Sequence, residues 1–274
     1  MRAWVNGQLL ESPEDRAISV LDHGMIVGDG VFETIKIENS VPFALTRHLD
    51  RLVASAHGLG IGAPDISAIR EGVDATIQGR RIPFGRIRVT VTSGPGPLGS
   101  PRGTQGLTSV VITESCDRPA GISTIVTVPW PRNERGAIAG LKTTSYAENA
   151  LMIEHAFARE ASEAVMPNTV GMLCEGTGSN VFYVLDGQLI TPTLKSGCLA
   201  GVTRALVLDW CDDAIERDES IDVLQRADEV ILVGTTRDVQ AISRVDAREL
   251  QAPGPVTAEV QQIWAREVLK DIDP

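Results

Sequence analysis

The chain has 274 residues, more than most single compact domains contain, so one large domain or two moderate domains are expected. Hydrophobic residues make up 43% and charged residues 22%, proportions that are typical of a globular protein and that exclude intrinsic disorder. A net charge of -11 argues against nucleic-acid or anionic-membrane partners, because both are polyanions that an acidic chain repels.

The cysteines and the apolar runs limit the cellular setting. The four cysteines show no CxxC spacing, so neither a zinc site nor a disulfide framework is indicated, and the reducing cytosol fits better. The N-terminal stretch lacks the apolar segment of a signal peptide, and no run approaches the roughly 18 apolar residues of a membrane span. We therefore expect a cytoplasmic protein without a metal site or a membrane segment.

The first half of the chain predicts an antiparallel sheet with two helices. The Asn-Gly pair in WVNGQLL and the polar interruption in GVFETIKIENSVPFAL both predict tight hairpins. Apolar residues then recur at helical spacing in TRHLDRLVASAHGL and in ISAIREGVDATIQ. Two further strands, GRIRVTVTSG and LTSVVITES, flank a Gly/Pro-rich loop. We interpret residues 1–115 as one small α+β domain.

The pattern restarts after an interdomain linker that we place at 116–121. It continues with the strand STIVTVPW, a helix beginning near Ala147, the strand pair NVFYVLDGQLIT, a helix from about Gly201, the strand EVILVGTT and the final helix TAEVQQIWAREVLKDI. Strands and helices do not alternate as βαβ units, so a doubly wound parallel sheet is disfavoured. Residues 122–274 are expected to form a larger second domain.

Familiar nucleotide and hydrolase signatures are absent. GDGVFE and GPGPLG fit neither the dinucleotide GxGxxG nor the P-loop, and there is no GxSxG or HExxH. The four histidines are too dispersed to suggest a metal centre. What remains is a set of polar stretches at strand and helix ends: HLDRL, LKTTSY, CEGTGSNVF, CLAGVTR and VGTTRD.

These stretches carry one ordered signature. Its members are Glu175, Thr177, Asn180, Val181, Phe182, Thr191, Leu199, Gly201, Val202 and Arg204. The set resembles the class IV, or fold type IV, pyridoxal-phosphate aminotransferases, which include D-amino-acid and branched-chain aminotransferases and 4-amino-4-deoxychorismate lyases. The resemblance begins at GDGVFETIKI and spans nearly the whole chain. It implies a mixed α+β fold: a small N-terminal α/β domain, a larger C-terminal domain with an antiparallel-rich sheet, and the cofactor in the interdomain cleft.

The resemblance also implies roles for individual residues. Lys142 stands where the family places the lysine that forms a Schiff base with pyridoxal 5'-phosphate and then shuttles a proton. Glu175 stands where a carboxylate pairs with the pyridine nitrogen, and Arg51 where a guanidinium contacts the phosphate. The other cofactor-binding residues expected are Tyr146 at the ring hydroxyl, Asn180 behind Glu175, Val202 and Thr203 at a helix N-terminus, and Thr235 after a late strand.

The substrate side departs from the family pattern. Familiar bacterial D-amino-acid aminotransferases bind the substrate carboxylate with a tyrosine, an arginine and a histidine, and this chain has Phe32, Ser93 and Pro95 at those positions. The usual carboxylate site is therefore missing. Another one has to be sought among the remaining arginines.

Two arginines could replace the usual site. Arg88 alternates with core residues along GRIRVTVTSG and matches an arginine that faces the pocket in branched-chain members. Arg237 follows the threonines of VGTTRD, where branched-chain enzymes have a small residue. We expect Arg88 and Arg237 to bind an α-carboxylate together, with Phe32 and Thr236 lining the same site.

The expected activity is a D-amino-acid transaminase that exchanges an amino group between D-alanine or D-glutamate and a 2-oxo acid such as 2-oxoglutarate or pyruvate. The main alternative is 4-amino-4-deoxychorismate lyase, which releases pyruvate and 4-aminobenzoate. A branched-chain L-amino-acid or (R)-amine transaminase is less favoured, because Arg237 would place a charge beside an apolar pocket. A pyridoxal-phosphate-binding protein without turnover is a further alternative. The family implies a homodimer whose partners are small-molecule amino donors and 2-oxo acids.

Overall fold

The chain divides into two compact units in the computed structural model, which describes residues 1–274 throughout. The first unit comprises Met1–Arg118, Leu141–Ser145 and Ile272–Pro274, and the second comprises Pro119–Gly140 and Tyr146–Asp271. The short segment that carries Lys142 therefore groups with the first unit, although it lies far along the chain. None of the helices is both long enough and apolar enough to cross a membrane.

The first unit is built on a six-stranded sheet in which all neighbouring strands are antiparallel. Its elements are β1 (Arg2–Val5), β2 (Gln8–Leu9), α1 (His23–Ile26), β3 (Gly30–Glu38), β4 (Val41–Pro42), α2 (Leu45–Leu59), α3 (Ile66–Ile77), β5 (Phe84–Thr92) and β6 (Thr108–Ser115). The strand order is β2-β1-β6-β5-β3-β4, so β3 and β5 lie towards the middle of the sheet.

The two long helices of this unit cover one face of its sheet. Val31, Ile35 and Ile37 of β3 share a buried cluster with Leu49 and Leu52 of α2. Successive side chains of a strand alternate between the two faces, so Glu33 lies on the same face as these three, and Phe32, Thr34 and Lys36 lie on the opposite face. The alternation fixes the direction of each functional side chain on β3 that is described below.

The second unit is built on a nine-stranded mixed sheet. Its elements are β7 (Ile122–Thr127), α4 (Ala147–Phe157), β8 (Glu163–Pro167), β9 (Leu173–Gly176), β10 (Asn180–Leu185), β11 (Gln188–Thr191), α5 (Val202–Trp210), β12 (Ile215–Glu216), β13 (Glu229–Gly234), β14 (Asp238–Val245), β15 (Arg248–Glu249) and α6 (Pro255–Glu267). The strand order is β12-β11-β10-β13-β14-β7-β8-β9, with β15 beside β14. The pairs β11/β12, β14/β7 and β7/β8 are parallel, and the others are antiparallel.

The tight hairpins predicted from the sequence are confirmed. Each has a two-residue turn in which both residues have positive φ: Asn6-Gly7, Asn39-Ser40 and Asp186-Gly187. This backbone geometry matches the right-handed twist of the flanking strands, and it favours Asn, Asp and Gly. Local turn chemistry was therefore sufficient to place these three connections.

The final helix differs from its prediction at both ends. It begins at Pro255 because Glu229 accepts hydrogen bonds from the backbone N–H groups of Val256 (3.0 Å) and Thr257 (2.7 Å), which caps the first turn. It ends at Glu267, short of the predicted limit, and the last three residues of the chain belong to the first unit instead. Both differences arise from contacts between residues that are distant in sequence.

Candidate functional site

Lys142 is fixed by its main chain. The segment 141–145 runs alongside the start of β3, where Phe32 N–H donates to the carbonyl of Lys142 (2.9 Å) and Thr144 N–H to that of Gly30 (2.8 Å). The backbone N–H of Lys142 donates to Ser55 Oγ (3.2 Å) on α2. The main chain at Lys142 is thus held by β3 and by α2, which fixes the base of the lysine side chain.

A phenylalanine ring brings two cationic groups together in the first unit. Lys142 Nζ lies 4.4 Å from the centroid of the Phe32 ring, and Arg88 Cζ lies 3.4 Å from the same centroid. Arg88 Nε donates to Thr90 Oγ1 (3.2 Å), which directs the guanidinium along β5 towards the ring. Lys142 Nζ and Arg88 Cζ are therefore separated by no more than the sum of these two distances. The negative face of the aromatic ring stabilises both positive charges.

Arg51 is held by a buried carboxylate that sequence reasoning did not identify. Its Nε and Nη2 donate to the two oxygens of Glu33 at 2.7 and 2.6 Å, a bidentate pair. His48 Nδ1 lies 2.7 Å from Glu33 Oε2. The available signal was alternation: Glu33 lies on the core face of β3, between Val31 and Ile35, where a charge requires a partner.

The electrostatics of this cluster favour one charge state. Burial by itself raises the pKa of Glu33, but the charge and hydrogen bonds of Arg51 and the hydrogen bond from His48 outweigh it and lower the pKa to about 2. Burial lowers the pKa of His48, which Glu33 only partly opposes. At neutral pH, Glu33 is therefore ionised, and His48 is the neutral tautomer that donates from Nδ1.

Glu175 lies in the second unit with both carboxylate oxygens engaged. Leu199 N–H donates to Oε2 (2.9 Å), and Arg132 Nη2 lies 3.2 Å from Oε1. Glu175 was predicted from the sequence, but Arg132 was not, because it lies between β7 and α4 without a motif of its own. A buried carboxylate requires a counter-charge, but the sequence does not show which arginine provides it.

The first turn of α5 suits an anionic group. Its N-cap residue is Gly201, which has no side chain, and no side chain caps this helix end. A Cβ on Gly201 would lie 1.9 Å from Asn180 Oδ1, while Asn180 Nδ2 donates to the carbonyl of Leu199 (2.9 Å). Asn180 thus packs beneath the helix start, which presents the N–H groups and hydroxyl of Val202 and Thr203. A phosphate fits this donor set.

Thr235, Thr236 and Arg237 form the tight turn between β13 and β14. The turn is closed by a hydrogen bond from Arg237 N–H to the carbonyl of Gly234 (3.1 Å). The guanidinium of Arg237 turns towards its own unit, where Nη2 donates to the carbonyl of Ser162 (3.0 Å) and Nη1 to Gln240 Oε1 (2.6 Å). Nη2 also lies 3.5 Å from Glu163 Oε2.

Glu163 is a second buried carboxylate that sequence reasoning missed. It accepts hydrogen bonds from the backbone N–H (3.0 Å) and the hydroxyl of Thr177, from the N–H of Gly178 (3.3 Å) and from Ser179 Oγ (3.1 Å). The turn between Glu175 and Asn180 is therefore fixed by a side chain from β8. Its six acceptor contacts, those with Ala164 N–H (3.1 Å) and Arg237 included, stabilise a carboxylate at a site that is 1% exposed.

The predicted site residues fall into two groups. Lys142, Phe32, Arg51 and Arg88 lie in the first unit, on β3, α2, β5 and the 141–145 segment. The second unit carries the remaining ones, which are Tyr146 at the start of α4, Glu175 on β9, Asn180 on β10, Val202 and Thr203 on α5, and the turn residues Thr235, Thr236 and Arg237. Within each unit, these residues lie at the ends of strands or helices or on strands that pair with each other, as β3 and β5 do.

The cysteines offer no competing nucleophile. Burial raises the pKa of Cys198 to about 11 and raises that of Cys174 further, so neither thiol ionises at neutral pH. Lys142 therefore remains the candidate for covalent chemistry, in agreement with the motif that surrounds it.

Comparison with known proteins identifies the family. The family described as Amino-transferase class IV matches residues 30–245 of this chain. D-alanine aminotransferase of Bacillus licheniformis is 31% identical, over 99% of this chain and 98% of its own length. A putative branched-chain-amino-acid aminotransferase of Methanocaldococcus jannaschii is 29% identical, over 99% and 96% respectively.

A solved structure extends the comparison to the fold. The fold IV-transaminase CpuTA1 of Curtobacterium pusillum has a TM-score of 0.83 and 28% identity, covering 96% of this chain and 93% of that chain. The matched span of the family covers part of both units and contains every predicted site residue. This chain belongs to the class IV aminotransferase family, which confirms the expected type IV fold, the enzyme class and the pyridoxal 5'-phosphate cofactor.

Proposed function

We propose that this aminotransferase acts on D-amino acids, exchanging an amino group between D-alanine or D-glutamate and a 2-oxo acid such as 2-oxoglutarate or pyruvate. The family supplies the reaction class. The preference for D-amino acids is supported by the similarity to D-alanine aminotransferases, of which that of Bacillus licheniformis is 31% identical. The substrate itself is argued from the residues around Lys142.

The observation that carries the proposal is the contact of Arg88 and Lys142 with one ring. An amino acid presents its carboxylate one carbon away from the carbon that bears the amino group. A site for it therefore needs a cation near the reacting amine. Arg88 lies 3.4 Å and Lys142 Nζ 4.4 Å from the centroid of Phe32, which meets this requirement. A simple amine would leave the guanidinium without a substrate carboxylate to bind.

The residues present fit the cofactor. Bound pyridoxal 5'-phosphate supplies an electron sink for the carbon that loses its proton. We propose that Lys142 holds the cofactor through Nζ and carries the transferred proton on the same atom. The other contacts would come from Arg51, Val202, Thr203 and Thr235 at the phosphate, Glu175 at the ring nitrogen, Tyr146 at the ring hydroxyl and Asn180 behind Glu175.

The proposed carboxylate site pairs Arg88 with Arg237, with Phe32 and Thr236 beside them. Arg88 is the stronger candidate, since it already lies near Lys142. Arg237 donates to Ser162 and Gln240, and these bonds would have to be exchanged before its guanidinium could bind a substrate. A site that relies mainly on Arg88 would also explain how the chain dispenses with the arginine that is usual at the position of Ser93.

We further propose a cytoplasmic homodimer. Support for the dimer comes from an apolar patch in the first unit, formed by Ile18, Val20, Leu21, Met25, Val27 and Leu98, whose side chains are 43 to 79% exposed. The two segments that carry it lie side by side where Gly96 N–H donates to the carbonyl of Leu21 (3.0 Å). A second copy of the chain would cover it. The four free thiols suit a reducing compartment.

The test is product analysis with the cofactor-loaded enzyme. The enzyme is incubated with 2-oxoglutarate and, separately, with D-alanine, L-leucine or (R)-1-phenylethylamine, and the glutamate formed is resolved by chiral chromatography. Pyruvate and D-glutamate from D-alanine are expected, with no product from Lys142→Ala. Turnover of L-leucine in place of D-alanine would overturn the proposal. Release of 4-aminobenzoate and pyruvate from aminodeoxychorismate, without turnover of D-alanine, would identify a lyase.

The carboxylate site is tested by kinetics of two arginine variants. Arg88→Ala is expected to raise the KM for D-alanine at least about tenfold, because a charge-assisted contact to the carboxylate is lost. Arg237→Ala decides whether the second arginine contributes. A KM unchanged in Arg237→Ala would restrict the site to Arg88, and a KM unchanged in Arg88→Ala would refute the site.

A further inference from the structure

Arg132 has features that a purely structural arginine would not have. Its backbone is fixed by a hydrogen bond from its N–H to the carbonyl of Pro167 (2.8 Å), and its side chain is only 20% exposed. Nη2 lies 3.2 Å from Glu175 Oε1, yet Nε is buried without a hydrogen-bond partner. A buried donor without a partner costs stability. The presence of an arginine here is therefore better explained by the contact of its positive charge with Glu175.

A second buried side chain connects Arg132 to the same segment. Asn149 Oδ1 lies 3.5 Å from both terminal nitrogens of Arg132, and Asn149 Nδ2 donates to the carbonyl of Thr177 (2.7 Å). Arg132 and Asn149 thus bracket the residues from Glu175 to Thr177. Asn149 lies in the first turn of α4, which begins after Tyr146. Arg132 and Asn149 therefore connect the segments that carry Glu175 and Tyr146, two residues that are expected to contact the cofactor ring.

The geometry around Glu175 leaves little freedom to its carboxylate. Leu199 N–H takes one oxygen and Arg132 the other, so the carboxylate plane is fixed from two directions. The guanidinium also keeps a positive charge at every accessible pH, which a lysine or histidine in the same place would not guarantee. Without it, Glu175, a largely buried carboxylate that is 8% exposed, would lose this counter-charge.

We propose that Arg132 is a positioning residue for the cofactor: its guanidinium contacts Glu175 and orients the carboxylate, so that the carboxylate can bind the ring nitrogen. The inference rests on the cofactor role given to Glu175 under the proposed function, but not on the identity of the substrate. Arg132 does not itself contact the substrate or the reacting atoms. Its effect should therefore appear in cofactor affinity and should require Glu175.

The experiment measures the Kd of pyridoxal 5'-phosphate by equilibrium dialysis, without any substrate. Arg132→Met is expected to raise the Kd about tenfold, because the oriented carboxylate is lost. Arg132→Lys, which retains the charge but not the fork, should recover part of the affinity. In a Glu175→Gln background the Arg132→Met change should have no further effect, since its target is gone.

Arg217 provides a matched control. Its Nε lies 3.2 Å from Glu219, the same separation as in the Arg132–Glu175 pair, but both residues lie outside the proposed cofactor site. Arg217→Met should leave the cofactor Kd unchanged.

Two results would overturn the proposal. The first is an unchanged Kd in Arg132→Met, and the second is an equal loss with and without Glu175, which would indicate a general structural defect. If Arg132→Met does not fold, Arg132→Lys alone decides, because it too should weaken binding only when Glu175 is present. A Kd that does not respond to Glu175→Gln would instead refute the role given to Glu175. The substrate proposal would be untouched, so the two failures are distinguishable.

Discussion

Glu33 shows how one buried side chain can determine the setting of a functional one. Arg51 binds it through a bidentate pair and His48 through Nδ1. Replacement of Glu33 by Gln would remove a fully buried counter-charge from a guanidinium that is 14% exposed. We expect Glu33→Gln to lower the free energy of unfolding by about 3 to 5 kcal/mol at pH 7, measured by urea denaturation.

Glu38 on the same strand is the matched control for this prediction. It pairs with Lys36 (4.0 Å) and with Arg118, but its side chain is 32% exposed. Solvent screens such pairs, so Glu38→Gln should cost less than about 1 kcal/mol. Equal losses in the two variants would contradict the special position of Glu33.

The pH dependence of stability follows from the same cluster. The pKa of Glu33 is lowered from 4.5 to about 2, so its stabilising contribution is complete above pH 4.5 and is lost as the pH falls towards 2. The pKa of His48 is lowered from 6.5, so the unfolded chain takes up a proton first and stability already begins to fall below that pH. The difference in unfolding free energy between the wild type and Glu33→Gln should therefore be fully present from pH 5 to 7 and shrink below pH 4.5. A difference that is undiminished at pH 3 would contradict this assignment.

At the scale of the element, α2 depends on the far end of the chain. Its N-cap residue is Ala44, in a left-handed conformation (φ 52°), which has no side-chain acceptor. Asp273 supplies one instead: Oδ1 accepts from Thr46 N–H (2.8 Å) and Oδ2 from Thr46 Oγ1 (2.6 Å). A carboxylate at this position also complements the helix dipole. The same helix carries His48 and Arg51.

We expect Asp273→Ala to lower the free energy of unfolding by about 1 kcal/mol and to increase amide hydrogen exchange at Thr46 and Arg47. Asp246 offers a comparison, because it accepts from the N–H and hydroxyl of Thr127 in the same way (2.8 and 2.9 Å) but belongs to the second unit. Asp246→Ala should lower stability without increasing exchange at Thr46. Unchanged exchange at Thr46 in Asp273→Ala would show that the cap is not needed.

At the scale of the whole molecule, the prediction concerns association. Val20, Met25 and Leu98 are 74, 73 and 79% exposed and belong to one patch of the first unit. If a second copy covers this patch, the triple change to Glu should turn the dimer into a monomer in analytical ultracentrifugation. Leu269→Glu, at an 87% exposed position of the second unit, is the control and should not change the mass. A wild-type chain that sediments as a monomer would contradict the dimer.

The elements of the fold could be predicted well where their signals are local. Hairpin turns, the periodicity of α2 and α3, and the alternation of β5 and β6 all follow from residues close together in sequence, and the structure confirms them. β8, β9 and β14 were not predicted. β8 and β14 pair with the distant strand β7, and β9 pairs with β8 across an irregular register, although β14 also forms a hairpin with β13. Local patterns are informative only when local contacts stabilise the element.

The sequence by itself determined the family, the cofactor and the identity of Lys142, Glu175 and Arg51 as candidates, because an ordered set of residue types at fixed spacing is a linear property. Only the tertiary structure decided which groups accompany them. These pairings span 18 to 110 residues of chain and join Glu33 with Arg51, Arg132 with Glu175, and Phe32 with both Arg88 and Lys142. Such pairings depend on how strands and helices pack. A charge requires a partner only once the fold has removed that charge from water, so the need for each partner arises from the tertiary structure.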